Sequence, residues 1–560
     1  MAVSTKDLPQ DVNSILDLFK AARSGRQFYE TRWIKNYALA TNYRNKSKYP
    51  YRSNVVIPTI FSNIHDQLPR IEAAIFGGEP MVTAFPINQI AIDNCQNVED
   101  MWTWDFLRAG IRQKTVSWVL QYLIFGDSFL KPFYRFDINK VSGKIIYDGP
   151  DAAVMDIWSA YFDPAATSTQ APDYWIHRKI YTSKKRFLKD AQLYGYKNAD
   201  KIASFGGIAD EDWRQDLLNY INLGYNNADA LKEAVEVLEF HDTVENTVTV
   251  IANRDTILKE TAPELFEGSQ FIKIGNYEQP MQFYSKGEPE IMESMFHALN
   301  NKFNQGVDAA EIFNNQSLVV ETGTLENESQ NILRPGSMIR VKQGRIGGIG
   351  EAPFRNVTLP ANLQEQQQLL TYMRMATVGE HALSSPGTKK TATETDYIAN
   401  KETGRLNLKI SCIEYLGIKE YARVSLDMRK KMIGMGMVIV KSDEMTGQKY
   451  PWVLKDRDLE GEFDPQPMGS QASASRSKER DEATAVLNQI KGVPFINQKE
   501  AFKDFLSAMG RKDVGRFFDM TEQGQPAQPM LPAPGQLQLG APAGLPGIPQ
   551  GAPPEMAGAT

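Results

Sequence analysis

Apolar residues recur at three- and four-residue steps through the first part of the chain, which is the spacing of amphipathic helices. The pattern covers four stretches, Asp11–Tyr43, Thr59–Phe76, the residues after Asn88, and Trp118–Phe125. The first stretch predicts one or two helices. Three tryptophans in the later stretches are expected in the core, because large apolar rings are stabilised by burial. They are Trp102, Trp104 and Trp118.

Strand patterns take over after this helical region. Ser128–Asp137 is rich in aromatic residues and predicts a strand. Asn139–Gly143 has the composition of a turn, and Lys144–Asp148 predicts a second strand that runs back along the first, so the two form a hairpin. Three later stretches add β character, Val235–Phe240, Thr247–Ile251 and Thr256–Leu258. Between them Thr182–Tyr225 is mainly polar and helical in pattern. Helices and strands in separate runs predict an α+β fold.

Two helical patterns flank a small insert. From Glu288 the apolar residues step by three and four over about twenty-five residues, which predicts one long helix. A glycine- and β-rich segment follows at Gln316–Val357, and a second helix with a polar run begins near Ala361. The chain therefore leaves along one helix and returns along another.

A third long helix is predicted after a loop. The stretch His381–Lys390 contains Pro386 and Gly387, which interrupt a helix. Thr391 begins a capping-box signature, and the helical pattern then continues to Met432. Later segments predict strand and turn at Pro451–Pro467, a helical pair at Lys478–Ile490 and Gln498–Met509, and a disordered Pro/Gly-rich tail from Thr521 to Thr560.

Composition limits the classes of function. The chain has 560 residues, so two to four domains are expected, and 42% hydrophobic with 23% charged residues is typical of a folded soluble protein. The chain has 62 Lys and Arg residues and 68 Asp and Glu residues, so it has no excess of positive charge and tight nucleic-acid binding is not expected. Cys95 and Cys412 are too few for a disulfide scaffold. The most apolar windows are too short for a membrane span.

Enzyme signatures are weak. The histidines His65, His177, His241, His297 and His381 have no metal-ligand spacing. The glycine-rich stretch at 344–350 lacks the Lys and Ser or Thr of a nucleotide-binding loop. We therefore expect no catalytic residue, no cofactor and no metal site.

The order of these parts resembles the portal proteins of tailed bacteriophages. Local stretches are also similar to recurrent portal segments: Arg32, Trp33 and Asn36, then Gly126–Lys131, Phe162–Pro164 before Trp175 and His177, Tyr284–Glu290 leading into a helix with Asn300, Asn301 and Asp308, and Thr391–Glu394. The resemblance spans roughly residues 20–515, and each piece alone is weak.

The resemblance implies a portal-like division of the chain. The expected parts are a mixed α/β wing at 1–287, a first stem helix at 288–315, a small β-containing clip at 316–358, a second, antiparallel stem helix at 359–379, a tunnel loop at 380–390, a long wing helix at 391–433, wing strands at 434–469, a helical crown at 470–520 and a disordered tail at 521–560.

The resemblance also implies site residues. Tunnel-loop residues facing DNA would be His381, Ser384, Ser385, Lys389 and Lys390, and clip residues meeting terminase or an adaptor would be Arg334, Arg340, Lys342 and Arg345. Two ordinary interpretations remain open, a solvated loop end for the first set and a charged sheet edge for the second. Lys401, Arg405 and Lys409 repeat every four residues, which suits either an ion-pair face between subunits or a DNA-facing one.

The function implied is a ring-shaped channel, typically a dodecamer of this chain, at one capsid vertex. Double-stranded DNA, bound non-specifically, is packaged and ejected through such a channel. The implied partners are the terminase large subunit, the head-tail adaptor, and the major capsid and scaffolding proteins. The implied location is the virion, after assembly in the host cytoplasm.

Two other functions remain open from the sequence. The main alternative is a virus-encoded nucleic-acid-processing enzyme, either a nuclease or a packaging ATPase, which requires catalytic carboxylates or a phosphate loop. A third is an unrelated multidomain scaffold.

Overall fold

The computed structural model combines helices and antiparallel sheets, which confirms the predicted α+β class at the level of mixed helix and sheet. It describes residues 12–44, 52–78, 80–139, 142–203, 234–266, 270–314, 318–321, 342–343, 349–351, 359–377, 404–433, 436–442 and 449–469.

The described helices agree closely with the periodicity of the sequence. They are α1 (Val12–Ala40), α2 (Thr59–Ile75), α3 (Gln89–Ala109), α4 (Ile111–Phe125), α5 (Lys184–Tyr194), α6 (Glu288–Asn314), α7 (Leu359–Thr377) and α8 (404–432). The first predicted stretch is one continuous helix. Asn88 caps α3 by accepting a hydrogen bond from Ala91 N at 3.0 Å, and Gly110 ends it in the left-handed conformation.

The described strands form five antiparallel sheets. They are β1 (Val82–Pro86), β2 (Asp127–Ile138), β3 (Ile145–Met155), β4 (Ala160–Phe162), β5 (Tyr174–Tyr181), β6 (Val235–Asp242), β7 (Thr247–Ala252), β8 (Thr256–Pro263), β9 (Ile272–Gly275), β10 (Leu318–Val320), β11 (Ile349–Glu351), β12 (Met437–Ser442), β13 (Lys449–Leu454) and β14 (Phe463–Pro467). The orders are β4-β5-β6-β7-β8, β3-β2-β9, β1-β14, β10-β11 and β12-β13.

Local hairpins were predictable, whereas strands paired over long distances were not. The hairpin β2–β3 and the meander β6–β7–β8 confirm the predicted strands. Strand β1 was not predicted; it pairs with β14, which is distant in sequence, so that Val82 lies opposite Pro467. The short strands β4 and β9 were also missed, because three or four residues show little alternation of their own. The eight-residue strand β5 was missed as well.

The largest apolar core joins helices α2, α3, α4, α6 and α8. Trp102 and Trp118 are fully buried in it, as predicted, and Trp104 packs against it half-buried. The indole of Trp102 donates a hydrogen bond to the carbonyl of Ala422 at 3.0 Å. This core fixes α8 against the helices from the first part of the chain.

Helix α8 contains a π-helical segment, Ile413–Ile418, before it returns to α-helix at Lys419–Met432. Gly417 lies in this segment against the Trp118 ring, and a Cβ at Gly417 would come within 2.4 Å of that ring. The glycine therefore permits close packing of the two helices. Further along, Arg429 forms a buried ion pair with Asp105 of α3, in which Nε lies 2.8 Å from Oδ2.

Several predicted parts lie outside the described residues. These are the loop 380–390, the beginning of the long helix before residue 404, most of the insert, the helical segment 470–520 and the tail 521–560. Over the part of the chain that the structure describes, no helix has both the length and the apolar character needed to cross a membrane.

Candidate functional site

Helices α6 and α7 pack side by side in opposite directions. Lys302 on α6 forms an ion pair with Glu365 on α7 at 2.7 Å, and the Asn362 side-chain amide donates to the carbonyl of Lys302 at 3.2 Å. Gly306 faces Asn362 so closely that a Cβ would lie 2.9 Å from its amide nitrogen. Later residues of α6 thus contact earlier residues of α7, which is the geometry of an antiparallel helix pair.

The helix pair leads into the insert through two paired strands. β10 follows α6 and β11 precedes α7, and Leu318 lies opposite Glu351 while Val320 lies opposite Ile349. Among the described residues of the insert, the chain leaves the helix pair and returns to it through these two antiparallel strands. Strands β10 and β11 lie at the end of the helix pair opposite to Glu288.

The body of the protein holds α6 through a ladder of polar side chains. We call residues 52–58 the strap, which leads from α1 into α2. Its backbone amides donate to side chains on one face of α6, each at 2.7 Å: Ile57 to Asn300, Val55 to Asn304, and Ser53 to Asp308. The Asn304 amide also donates to the carbonyl of Val55 at 2.8 Å.

The spacing of this ladder follows from helix and chain geometry. Four residues along an α-helix rise about 6 Å, and two residues of extended chain rise about 6.6 Å. Acceptors at every fourth position of α6 therefore stay in step with amides at every second position of the strap. Asn300 and Asn304 are buried, and each satisfies a strap amide through a partly buried hydrogen bond.

Helix α1 and the residues after it add contacts along the first half of α6. Arg32 forms an ion pair with Glu290 at 2.7 Å, and both side chains are about one-fifth exposed. Lys35 pairs with Glu293 at 2.5 Å, and Arg44 beyond the helix donates to Asn301 at 2.8 Å. These contacts fix the direction in which α6 leaves the body.

A buried ion pair closes the start of α6. Glu288, the first residue of the helix, is fully buried and contacts the ammonium of Lys409 from α8. Lys409 also donates to the Gln67 side-chain oxygen at 3.0 Å and to the Tyr277 hydroxyl at 3.3 Å. Burial lowers the pKa of Lys409, and the Glu288 carboxylate partly opposes this shift.

This arrangement corrects the two interpretations offered for the lysine and arginine face of the long helix. Lys409 is 5% exposed and pairs within its own chain, so it faces neither DNA nor a neighbouring subunit. Arg405 donates to the carbonyl of Ala376 at 3.0 Å, which ties the end of α7 to the start of α8. Lys401 lies outside the described residues.

The residues predicted to contact DNA or partners are mostly outside the described ranges. This applies to His381, Ser384, Ser385, Lys389 and Lys390 and to Arg334, Arg340 and Arg345. Lys342 is described and lies exposed between strands of the insert. Its position stays compatible with either a partner contact or a solvated edge.

Sequence reasoning missed the residues that hold α6 in place. One face of this helix carries a polar residue at every fourth position, namely Asn300, Asn304 and Asp308, beside the face whose apolar residues recur at helical spacing. That spacing is a signal in the sequence for a row of polar contacts. Glu288 and Lys409 are 121 residues apart, so no local pattern joins them.

Comparison with known proteins adds no identification. The sequence matches no protein-family model and no curated protein. Within the described residues, no group of three or more His, Cys, Asp or Glu side chains is placed to hold a metal ion.

Replacing Asn304 with Ala removes both hydrogen bonds to Val55 and leaves the strap amide unpaired. We expect a loss of about 2 kcal/mol in the free energy of unfolding, measured by urea denaturation, with faster amide exchange in the strap. Asn301→Ala is the matched control, because Asn301 is exposed and its side chain accepts from Arg44 rather than from the strap. Equal losses in both variants would contradict the ladder.

Replacing Lys409 with Met leaves Glu288 buried without its charge partner. We expect a loss of about 3 kcal/mol or more in the free energy of unfolding. Lys419→Met is the control, because Lys419 pairs with Asp464 in a partly exposed position and should lose less than about 1 kcal/mol. A Lys409→Met protein as stable as the control would show that the pair does not fix α6.

Proposed function

We propose that this chain is the subunit of a portal ring, a channel at one capsid vertex through which double-stranded DNA is packaged and ejected. The observation that carries the proposal is the antiparallel pair α6–α7, which is joined at one end by the strands of an insert and held at the other by the body. In this proposal α6 and α7 are the stem and the insert is the clip.

The way the pair is attached supports this role. A stem that lines a channel must keep its angle to the body, because small tilts at its base are amplified along a helix of 27 residues. The Arg32–Glu290 and Glu288–Lys409 pairs hold the start of α6 against α1 and α8, and the strap ladder holds its middle and later residues.

Ring closure and charge follow from the same proposal. Identical subunits joined by head-to-tail contacts form a closed ring when the rotation between neighbours returns to its start. Every residue at the channel is then repeated once per subunit. A net charge of −6 per chain suits passage of DNA better than tight retention, because each added phosphate contact strengthens binding.

The proposed partners follow from the ring. Terminase large subunit and, later, the head-tail adaptor would dock at the clip, where Lys342 is exposed. Capsid and scaffolding proteins would surround the wing. In this proposal the chain itself carries out no catalysis, and it resides in the virion.

The purified full-length chain is expected to assemble into closed rings with a central opening. Electron-microscopy class averages viewed down the particle axis, with light scattering for mass, measure this directly. Stable monomers under all assembly conditions would contradict the proposal. Metal-dependent DNA cleavage or ATP turnover that one Asp or Glu substitution abolishes would favour the enzyme alternative.

Replacing both Lys389 and Lys390 with Ala is expected to leave ring assembly intact and to weaken the salt dependence of duplex-DNA binding. The slope of log K against log salt should fall by about 0.9 for each phosphate that the substituted lysines no longer neutralise. The matched control removes the same charge from the start of α5 by replacing Lys184 and Lys185 with Ala. Loss of assembly in the first variant, or equal slopes in both, would contradict a DNA-facing loop.

A further inference from the structure

A cluster of charged and titratable side chains lies where β2 of the three-stranded sheet meets β5 and β6 of the five-stranded sheet. β2 contributes Lys131, β5 contributes His177 and Lys179, and β6 contributes Glu239 and His241. Glu239 and His241 are at most 5% exposed. The cluster is remote in sequence from α6, α7 and the strap and does not rest on the proposed function.

Glu239 is the shared acceptor of this cluster. One carboxylate oxygen, Oε2, lies 2.5 Å from the Lys131 ammonium and 3.2 Å from His177 Nδ1. The other, Oε1, contacts the Lys179 ammonium and the Tyr196 hydroxyl. Lys131 is the group that crosses from one sheet to the other, so its bond to Glu239 joins the two sheets.

The remaining partners hold Lys131 in this position. Its ammonium lies 3.2 Å from His241 Nε2 and 5.5 Å from the centre of the Trp175 ring. The Trp175 and His241 rings are stacked at 4.1 Å, and His241 Nδ1 lies 2.5 Å from Glu264 Oε1. The ammonium is thus enclosed by a carboxylate, an imidazole and an aromatic face.

His177 lies beside two ammonium groups in a buried site. Lys131 and Lys179 both contact Glu239, the carboxylate that His177 Nδ1 also contacts. The groups that act directly on His177 are Lys131 on β2, Lys179 on β5 and Glu239 on β6. These are contacted in turn by Tyr194 and Tyr196 around the end of α5 and by His241 on β6, which pairs with Glu264 after β8. A proton on His177 adds a positive charge next to two ammonium groups in a buried site.

We propose that this cluster is an acid-sensitive latch between the two sheets, released when His177 takes up a proton. A protonated His177 competes with Lys131 for the same oxygen of Glu239 and repels it. The closed latch therefore excludes the proton, and the open one, which exposes His177 to water, accepts it.

The direction of the pH effect follows from linkage. Burial lowers the pKa of His177 to about 3 in the closed state. The charges of Lys131 and Lys179 also lower this pKa, whereas the hydrogen bond to Glu239 raises it. An exposed histidine has a pKa of about 6.5, so stability is fully present above that pH and is lost as the pH falls below it. Between pH 7.5 and 5.5 the ratio of open to closed latch should rise about tenfold.

Carboxylate titration does not explain a change in this window. Lys131 and Lys179 hold the pKa of Glu239 well below its usual value against the cost of burial, and the pKa of Glu264 is lowered by His241. Both groups therefore stay ionised at pH 5.5. An opening between pH 7.5 and 5.5 reports a histidine.

Hydrogen exchange of the full-length chain at pH 7.5 and 5.5, corrected for the intrinsic rates, tests the latch. We expect the protection factors of peptides covering β5, β6 and the part of β2 around Lys131 to be about tenfold lower at pH 5.5 than at pH 7.5. The His177→Gln substitution should abolish most of this decrease. His297→Gln is the matched control, because His297 lies exposed on α6 and should leave the loss unchanged.

A His177→Gln protein with the parent's pH dependence, or a parent that keeps its protection at pH 5.5, would overturn the proposal. Where His177→Gln fails to fold, Glu239→Gln gives a second test, since it removes the charge that holds Lys131. We expect that variant to exchange fast in the same strands already at pH 7.5, with little further change at pH 5.5. Parental protection in Glu239→Gln would also overturn the latch.

Discussion

Buried polar groups must find partners inside the protein, and this requirement shapes the start of α6. Glu288 is buried at the first position of the helix and is compensated by Lys409, Gln67 and Tyr277 around one site. The strap amides are satisfied by Asn300, Asn304 and Asp308 further along the helix. A helix held in this way has one direction relative to the body, since any rotation breaks several bonds together.

The sequence reveals those parts of the fold whose signal is local. Helices α1 to α4, α6 and α7 and the hairpin β2–β3 repeat a period over many residues, so their existence and approximate ends could be predicted. The pairing of β1 with β14 and the contact of Lys409 with Glu288 join distant residues, and no period in the sequence records them. The lysine face of α8 shows the limit clearly, because its spacing indicated an exposed charged surface and Lys409 proved to be buried.

The functional proposal depends on the arrangement of elements rather than on a chemical motif. Comparison with families and curated proteins gives no match, so the proposal is carried by the helix pair, its insert and its bracing. Two of the buried ionic clusters have different roles. Glu288 and Lys409 hold the start of a helix, whereas Lys131 and Glu239 join two sheets beside His177, the residue whose protonation we propose opens that contact.

The π-helical segment Ile413–Ile418 sets the rotational phase of α8. A π-turn accommodates one residue more than an α-turn, so the helix on either side of it is offset in angle. Lys409 before the segment and Arg429 after it both reach buried carboxylates. One residue deleted outside the segment would turn Arg429 by about 100° away from Asp105, whereas one deleted within it is absorbed when the segment returns to α-helix. The segment therefore gives α8 a place where its length can change by one residue while Lys409 and Arg429 keep their buried partners.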